Sequence, residues 1–217
     1  MSSRRRGDGR AAAREARSGA GPVDANFTPG PHPGAKAKFG LFGEVLTIGL
    51  LITLVSLAVV TLPIALAAGI RQLRRFVQAS DSRAALFWED VRVGILPSLI
   101  VGVPAALIAT VLTVDVVLAR TGALPGGEIV GVVGWAGLVV LSVGVLVAAG
   151  AWSPQAGWRA AVRAVPGIVR ADAVGALYLA ATAVFVGVVT WALIPLFIPA
   201  IGCAALAVVA VPVRRRR

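Results

Sequence analysis

The sequence predicts an all-α, polytopic helical membrane protein with about five transmembrane helices plus short cytoplasmic amphipathic helices. Hydrophobic residues make up 58% of the 217 and charged residues only 14%. An average soluble domain is roughly 45–50% apolar and about 25% charged. Uncharged runs exceed the ~18 residues that read as a membrane span, the longest being the 41 residues from Ala173 to Val213. The 21 Lys and Arg outnumber the 10 Asp and Glu and gather between those runs, as the positive-inside rule describes for cytoplasmic loops. Together these features argue against a soluble globular enzyme.

The net charge of +11 fits nucleic acid or anionic lipid in principle. In so hydrophobic a chain it points to a bilayer with anionic headgroups and to no nucleic-acid partner. The excess of 19 Arg over 2 Lys, with abundant Ala, Gly and Val, points to a GC-rich bacterial coding sequence and hence to the bacterial cytoplasmic (inner) membrane.

Residues 1–40 read as a separate, disordered tail, with eight cations, three acids, seven Gly and four Pro. Such a segment buries too little apolar surface to offset its ordering entropy. Arg4, Arg5 and Arg6 are its basic cluster. The helical membrane domain covers 41–213, and residues 214–217 form a basic C-terminal stop. Within the domain, the first uncharged run is Val45–Ile70, 26 residues, or about 39 Å of helix. That is enough for one tilted span and too short for two, and Pro63 should kink or end the helix near its C-terminal side. Arg71, Arg74 and Arg75 follow. Ser80-Asp81-Ser82 is a helix start signal opening an amphipathic stretch with Leu86, Phe87, Val91 and Ile95 on one face.

The second run is Val93–Val114, extending to Ala119 if Asp115 is tolerated. Pro125-Gly126-Gly127 breaks the chain before the third run, Ile129–Trp152. There Gly131, Gly134, Gly137 and Gly144 favour close helix approach. Ser153-Pro154 reads as a cap with Pro at the first helical position. Trp158, Val162, Val165 and Val169 then share one helix face and Arg159, Arg163 and Arg170 another, which predicts a basic helix lying flat at the interface. As a sixth span it would carry Arg159 and Arg163 into hydrocarbon at ~2.5–3.5 kcal/mol each. Ala173–Val213 suits two spans broken at Pro195–Pro199.

The spans are thus roughly 45–66, 93–119, 129–152, 173–194 and 197–213. The segments 71–92, 153–172 and 214–217 carry five, three and four Arg, against one in 120–128, so they and the C-terminus should be cytoplasmic. Five spans put the N-terminus outside, in conflict with its eight cations; a re-entrant first segment with the N-terminus inside is the alternative. A weak internal repeat favours the first arrangement: Trp88, Val91-Arg92 and Pro97 parallel Trp158, Val162-Arg163 and Pro166.

Thr61-Leu62-Pro63 with Ala65, Ala67 and Ala68, then Arg71-Gln72-Leu73-Arg74-Arg75, then Phe87-Trp88-Glu89-Asp90-Val91-Arg92, resemble in order the YesL family of bacterial membrane proteins, a domain of unknown function. The stretch Trp158–Pro166 fits the same outline. The resemblance covers about 41–213. It implies a multi-span protein associated with carbohydrate uptake or utilisation, and it carries no catalytic residues to transfer.

Side chains with chemical potential are few. Asp115, the one acid inside a predicted span, is a candidate proton relay or ion ligand, or an interfacial residue reaching headgroups and Arg120. Arg74, Trp158, Arg159 and Arg163 are candidates for docking a cytoplasmic partner. Glu44, Glu89 and Asp90 read as surface pairing, the latter two beside Arg92. Thr47, Thr53, Ser56 and Thr61 should bond their own helix or a neighbour. Trp88, Trp152 and Trp158 suit an interfacial aromatic belt, with Trp191 at the opposite interface; Trp135, Tyr178 and Cys203 suit packing. His32 is the only histidine and Cys203 the only cysteine, and phosphate-loop, dinucleotide, HExxH and Gly-x-Ser-x-Gly motifs are absent. No cofactor, metal or catalysis is expected. The reading is a non-enzymatic membrane protein accessory to solute uptake, with a small transporter or channel subunit, or a scaffold docking a cytoplasmic partner, as the alternatives.

Overall fold

A computed structural model describes residues 38–78, 80, 83–121 and 126–214. Most of the tail, with Arg4–Arg6 and His32, lies outside them, as do Asp81, Ser82, Pro125 and the last three arginines. The described residues form seven α-helices: α1 Lys38–Val55, α2 Leu62–Val77, α3 Ala84–Arg120, α4 Gly127–Ala151, α5 Gly157–Ala171, α6 Ala173–Ala192 and α7 Phe197–Arg214. Among them are no strands. The fold is therefore all-α, and four segments are long and apolar enough to cross a membrane: α3, α4, α6, and α7 with the short turn before it. They match the expected spans from 93 onward. Large apolar side chains such as Leu96, Leu107, Val140 and Leu177 are exposed on them, as lipid-facing surface must be.

The expected span over 45–66 is not one helix. α1 stops at Val55, a turn covers Ser56–Ala58, Val59–Thr61 form a 3-10 turn, and α2 starts at Leu62 with Pro63 in its first turn. Pro63 opens the second helix, where its missing N–H costs nothing, and the first helix has already ended seven residues earlier. Backbone groups freed at such a break need partners inside a membrane. The Thr61 hydroxyl supplies one, reaching the carbonyls of Val55 and Ala58. The Thr61 N–H donates to Ala58 O at 2.8 Å.

Past the break the chain turns back. Gly69 of α2 lies against Ile48 and Ile52 of α1, so the two helices form an antiparallel hairpin. α1 also runs antiparallel to α7: a Cβ at Gly49 would strike the Ile198 carbonyl, and one at Gly202 the Val45 carbonyl. The start of α1 and the end of α7 therefore share one end of the bundle. The five-span arrangement places these two ends on opposite sides, and the structure brings them together, as the alternative with the N-terminus inside has them.

Small residues allow the approach. Lipid tails are as apolar as leucine, so close backbone packing rather than water exclusion brings such helices together. α2 is the centre of the core: Ile64–Ala67, Ile70 and Leu73 are buried among Ile48 and Ile52 of α1, Leu146 and Ala149 of α4 and Trp152 just after it, and Ala204, Ala205 and Val208 of α7. Gly102 of α3 sits against Val60 at the hairpin tip. Farther along, α3 and α4 close on each other through Gly131, Gly134 and Gly137, which face Ala119, Val116 and Leu112. Gly144, expected to join them, faces open space.

α5 begins beside Trp152 and ends beside the start of α6, both at the end of the bundle where α7 finishes. At 15 residues it is about 22 Å long, and it lies across that end rather than through the bundle. Its start differs from expectation. Ser153 Oγ accepts from Ala156 N at 3.1 Å, capping only a turn, and the helix proper waits until Gly157, whose φ of 71° suits glycine. The proposed repeat does not persist: Trp88, Val91, Arg92 and Pro97 belong to one 37-residue helix, whereas Trp158–Pro166 lie in a helix ended at Asp172. Asp172 caps α6 by accepting from Gly175 N at 2.8 Å.

Candidate functional site

Charge gathers at the end of the bundle where the hairpin opens. Arg71, Arg74 and Arg75 occupy the last two turns of α2, where a helix's carbonyl end favours cations. Asp90 stands in the second turn of α3 and is buried. Its Oδ2 accepts from Arg71 Nε at 3.2 Å and from Arg75 Nη2 at 2.9 Å. The arrangement ties the hairpin's returning arm to the first full span. The reading of Asp90 as a surface partner of Arg92 is corrected by this. Phe87, Asp90, Val91 and Gly94 are all buried on one face of α3, at i, i+3, i+4 and i+7. That spacing was the available signal that Asp90 turns inward.

Arg71 also lies over the Trp152 ring, 5.6 Å from its centroid. Trp152 in turn stacks on Trp158, with centroids 5.7 Å apart and planes 28° apart. Both indoles are almost fully buried, so they are core residues joining α4 and α5 to the charge cluster and not members of an exposed belt. Arg74 is near Gly150 of α4. Burial, and after it the charge of Arg71, lowers its pKa from the usual arginine value, which leaves the guanidinium a cation at any physiological pH. Three guanidinium groups against one carboxylate leave the cluster net positive.

Of the other candidates, Arg159 and Arg163 are exposed on α5. Arg74, Trp158, Arg159 and Arg163 thus share one end. Asp115 is half-buried at the far end and belongs to no common site with them. Among the described residues it forms no ion pair, and Arg120 lies over the Trp191 ring at 5.9 Å. Three packing assignments are reversed: Trp135, Tyr178 and Cys203 are exposed on the bundle surface, on helix faces left toward lipid.

The far end has different contents. An apolar cavity of about 660 Å³ lies beside the hairpin tip and the start of α2. Val59, Pro63 and Leu66 of the hairpin line it together with residues of α3, α4, α6 and α7. Ser142 and Thr190 are its wall hydroxyls, and each donates to its own helix, to Leu138 O at 2.8 Å and Val186 O at 2.7 Å. Thr47 and Thr53 likewise bond carbonyls of their own helix, as expected of hydroxyls in lipid. Among the described residues no group of three or more His, Cys, Asp or Glu could hold a metal ion.

No family model, curated protein or solved structure matches the chain.

Proposed function

We propose that this chain is a non-enzymatic integral protein of the bacterial cytoplasmic membrane, with its basic end toward the cytoplasm, that serves as an accessory to another membrane or cytoplasmic component and is not itself a pore. One observation carries the reading. The ion cluster and most of the cations lie at one end of the bundle, and the cavity away from them is walled by apolar groups and by hydroxyls already bonded to their own helices. A path for a polar solute needs inward-facing polar groups at mid-membrane, and this interior offers few. The positive-inside rule then orients the molecule. Arg71, Arg74, Arg75, Arg159, Arg163 and Arg170 belong to the basic end, against Arg120 at the other. With four spans and a re-entrant hairpin, α1 begins at the basic end. The cations that precede it are then no exception to the rule. The resemblance to the YesL family extends the proposal to carbohydrate uptake, with the exposed arginines of α5 as the docking face.

Proteoliposome swelling with graded mono- and disaccharides separates the accessory from the transporter. The expected rate equals that of protein-free vesicles, while a strain lacking the gene grows slowly on particular sugars and recovers with the wild-type chain. Saturable sugar entry that falls in Thr190→Val or Ser142→Ala would replace the accessory by a transporter.

A further inference from the structure

A second apolar hollow, about 620 Å³, lies between α3, α4 and α5, distinct from the cavity beside the hairpin tip. Its walls are Ile100, Pro104 and Ile108 of α3 and Val140 and Gly144 of α4. Gly144 has no atom within 4 Å of where a Cβ would stand, which keeps the hollow open along the bundle axis. At the basic end α5 closes it, contributing Trp158, Arg159 and Arg163. Three features there lack partners. Among the described residues neither arginine meets a carboxylate. The two cations stand four apart on one helix, where like charges repel. The Trp158 indole N–H is buried without an acceptor, on a side chain only 2% exposed.

We propose that this hollow is a binding site for one anionic phospholipid, with its acyl chains along the α3–α4 walls and its phosphate at Arg159 and Arg163. The chemistry is divided as an amphiphile is: apolar over most of the length, cationic at the one end where headgroups lie. Guanidinium groups suit phosphate oxygens through paired, charge-assisted hydrogen bonds. The chain's own first forty residues carry eight cations against three acids, the wrong sign to fill an arginine-capped groove. The site needs only that the bundle sit in a membrane, and it stands whether or not the accessory role does.

Native mass spectrometry of the full chain in detergent tests it, titrating dioleoyl phosphatidylglycerol against dioleoyl phosphatidylcholine. One retained phosphatidylglycerol is expected, about tenfold or more tighter than phosphatidylcholine, given that each arginine near a charged leaflet is worth about 1 kcal/mol. Arg159→Gln with Arg163→Gln should abolish the preference. Arg170→Gln, on the same helix but outside the hollow, should keep it. Gly144→Leu, which fills the hollow and leaves the arginines in place, should lower retention of the lipid. Equal binding of the two lipids, the same loss in Arg170→Gln, full retention in Gly144→Leu, displacement by soluble glycerol phosphate, or a dimer that excludes lipid would each overturn the proposal.

Discussion

At the basic end, α1 and α2 occupy the space between α3, α4 and α7, and isoleucines, leucines and alanines there are buried to the last atom. At the far end, α3, α4, α6 and α7 surround about 660 Å³ of apolar space instead. The difference follows from lengths. The hairpin arms have 18 and 16 residues, or about 27 and 24 Å, while α3 alone has 37. The tip meets α3 at Gly102, halfway along that helix, and α7 beside the hairpin is no longer than its first arm, at 18 residues. The hairpin thus fills the space among α3, α4 and α7 and leaves an apolar cavity beside its tip. The packed end holds the ion cluster as well, so close packing and charge coincide.

The largest effect that could break this comparison is topological. In a Cys203→Ala background, single cysteines at positions 43 and 163 should react from the same side of the membrane, the cytoplasmic one. Labelling from opposite sides would turn the hairpin back into a span. Next in size is Asp90→Asn, which leaves Arg71 and Arg75 without their carboxylate. Removing one member of a buried ion cluster costs about 3–5 kcal/mol. Here the arginine side chains retain 24% and 21% exposure, so the lower end, about 3 kcal/mol, is expected in a detergent unfolding titration. A loss under about 1 kcal/mol would demote the cluster to a surface pair.

The smallest effect comes from one substitution made in both halves. Thr61→Val removes the hydroxyl that holds the hairpin turn and takes its bond from the Val55 carbonyl, while Ala58 O keeps the Thr61 N–H, at about 1 kcal/mol. Thr190→Val, beside the cavity, removes a hydroxyl that serves only its own helix and should stay within about 0.5 kcal/mol. Equal costs in the same titration would mean that the turn is held by packing alone.

Hydropathy and periodicity, read along the chain, sufficed for the four long apolar helices from residue 93 onward, for the break around Pro195, for α5 as a separate basic amphipathic helix, and for the tight approach at Gly131, Gly134 and Gly137. These depend on composition within a window or on spacing within one helix, and such information is local. The candidate site was half legible. Arg74 and Trp158 do stand at it, and Arg159 and Arg163 are exposed nearby. Asp90, the residue that organises it, was assigned to its sequence neighbour Arg92, because partners 15 and 19 residues away become neighbours only after the chain reverses. Only the tertiary structure decided that reversal. A 26-residue apolar run has the same hydropathy whether it crosses or returns. Its direction depends on what accepts it: the glycine contacts with α7, the small residues of α2, and a carboxylate on α3 placed to receive the returning arginines. Hydropathy measures how readily a segment enters lipid and carries no sign for the side on which it leaves.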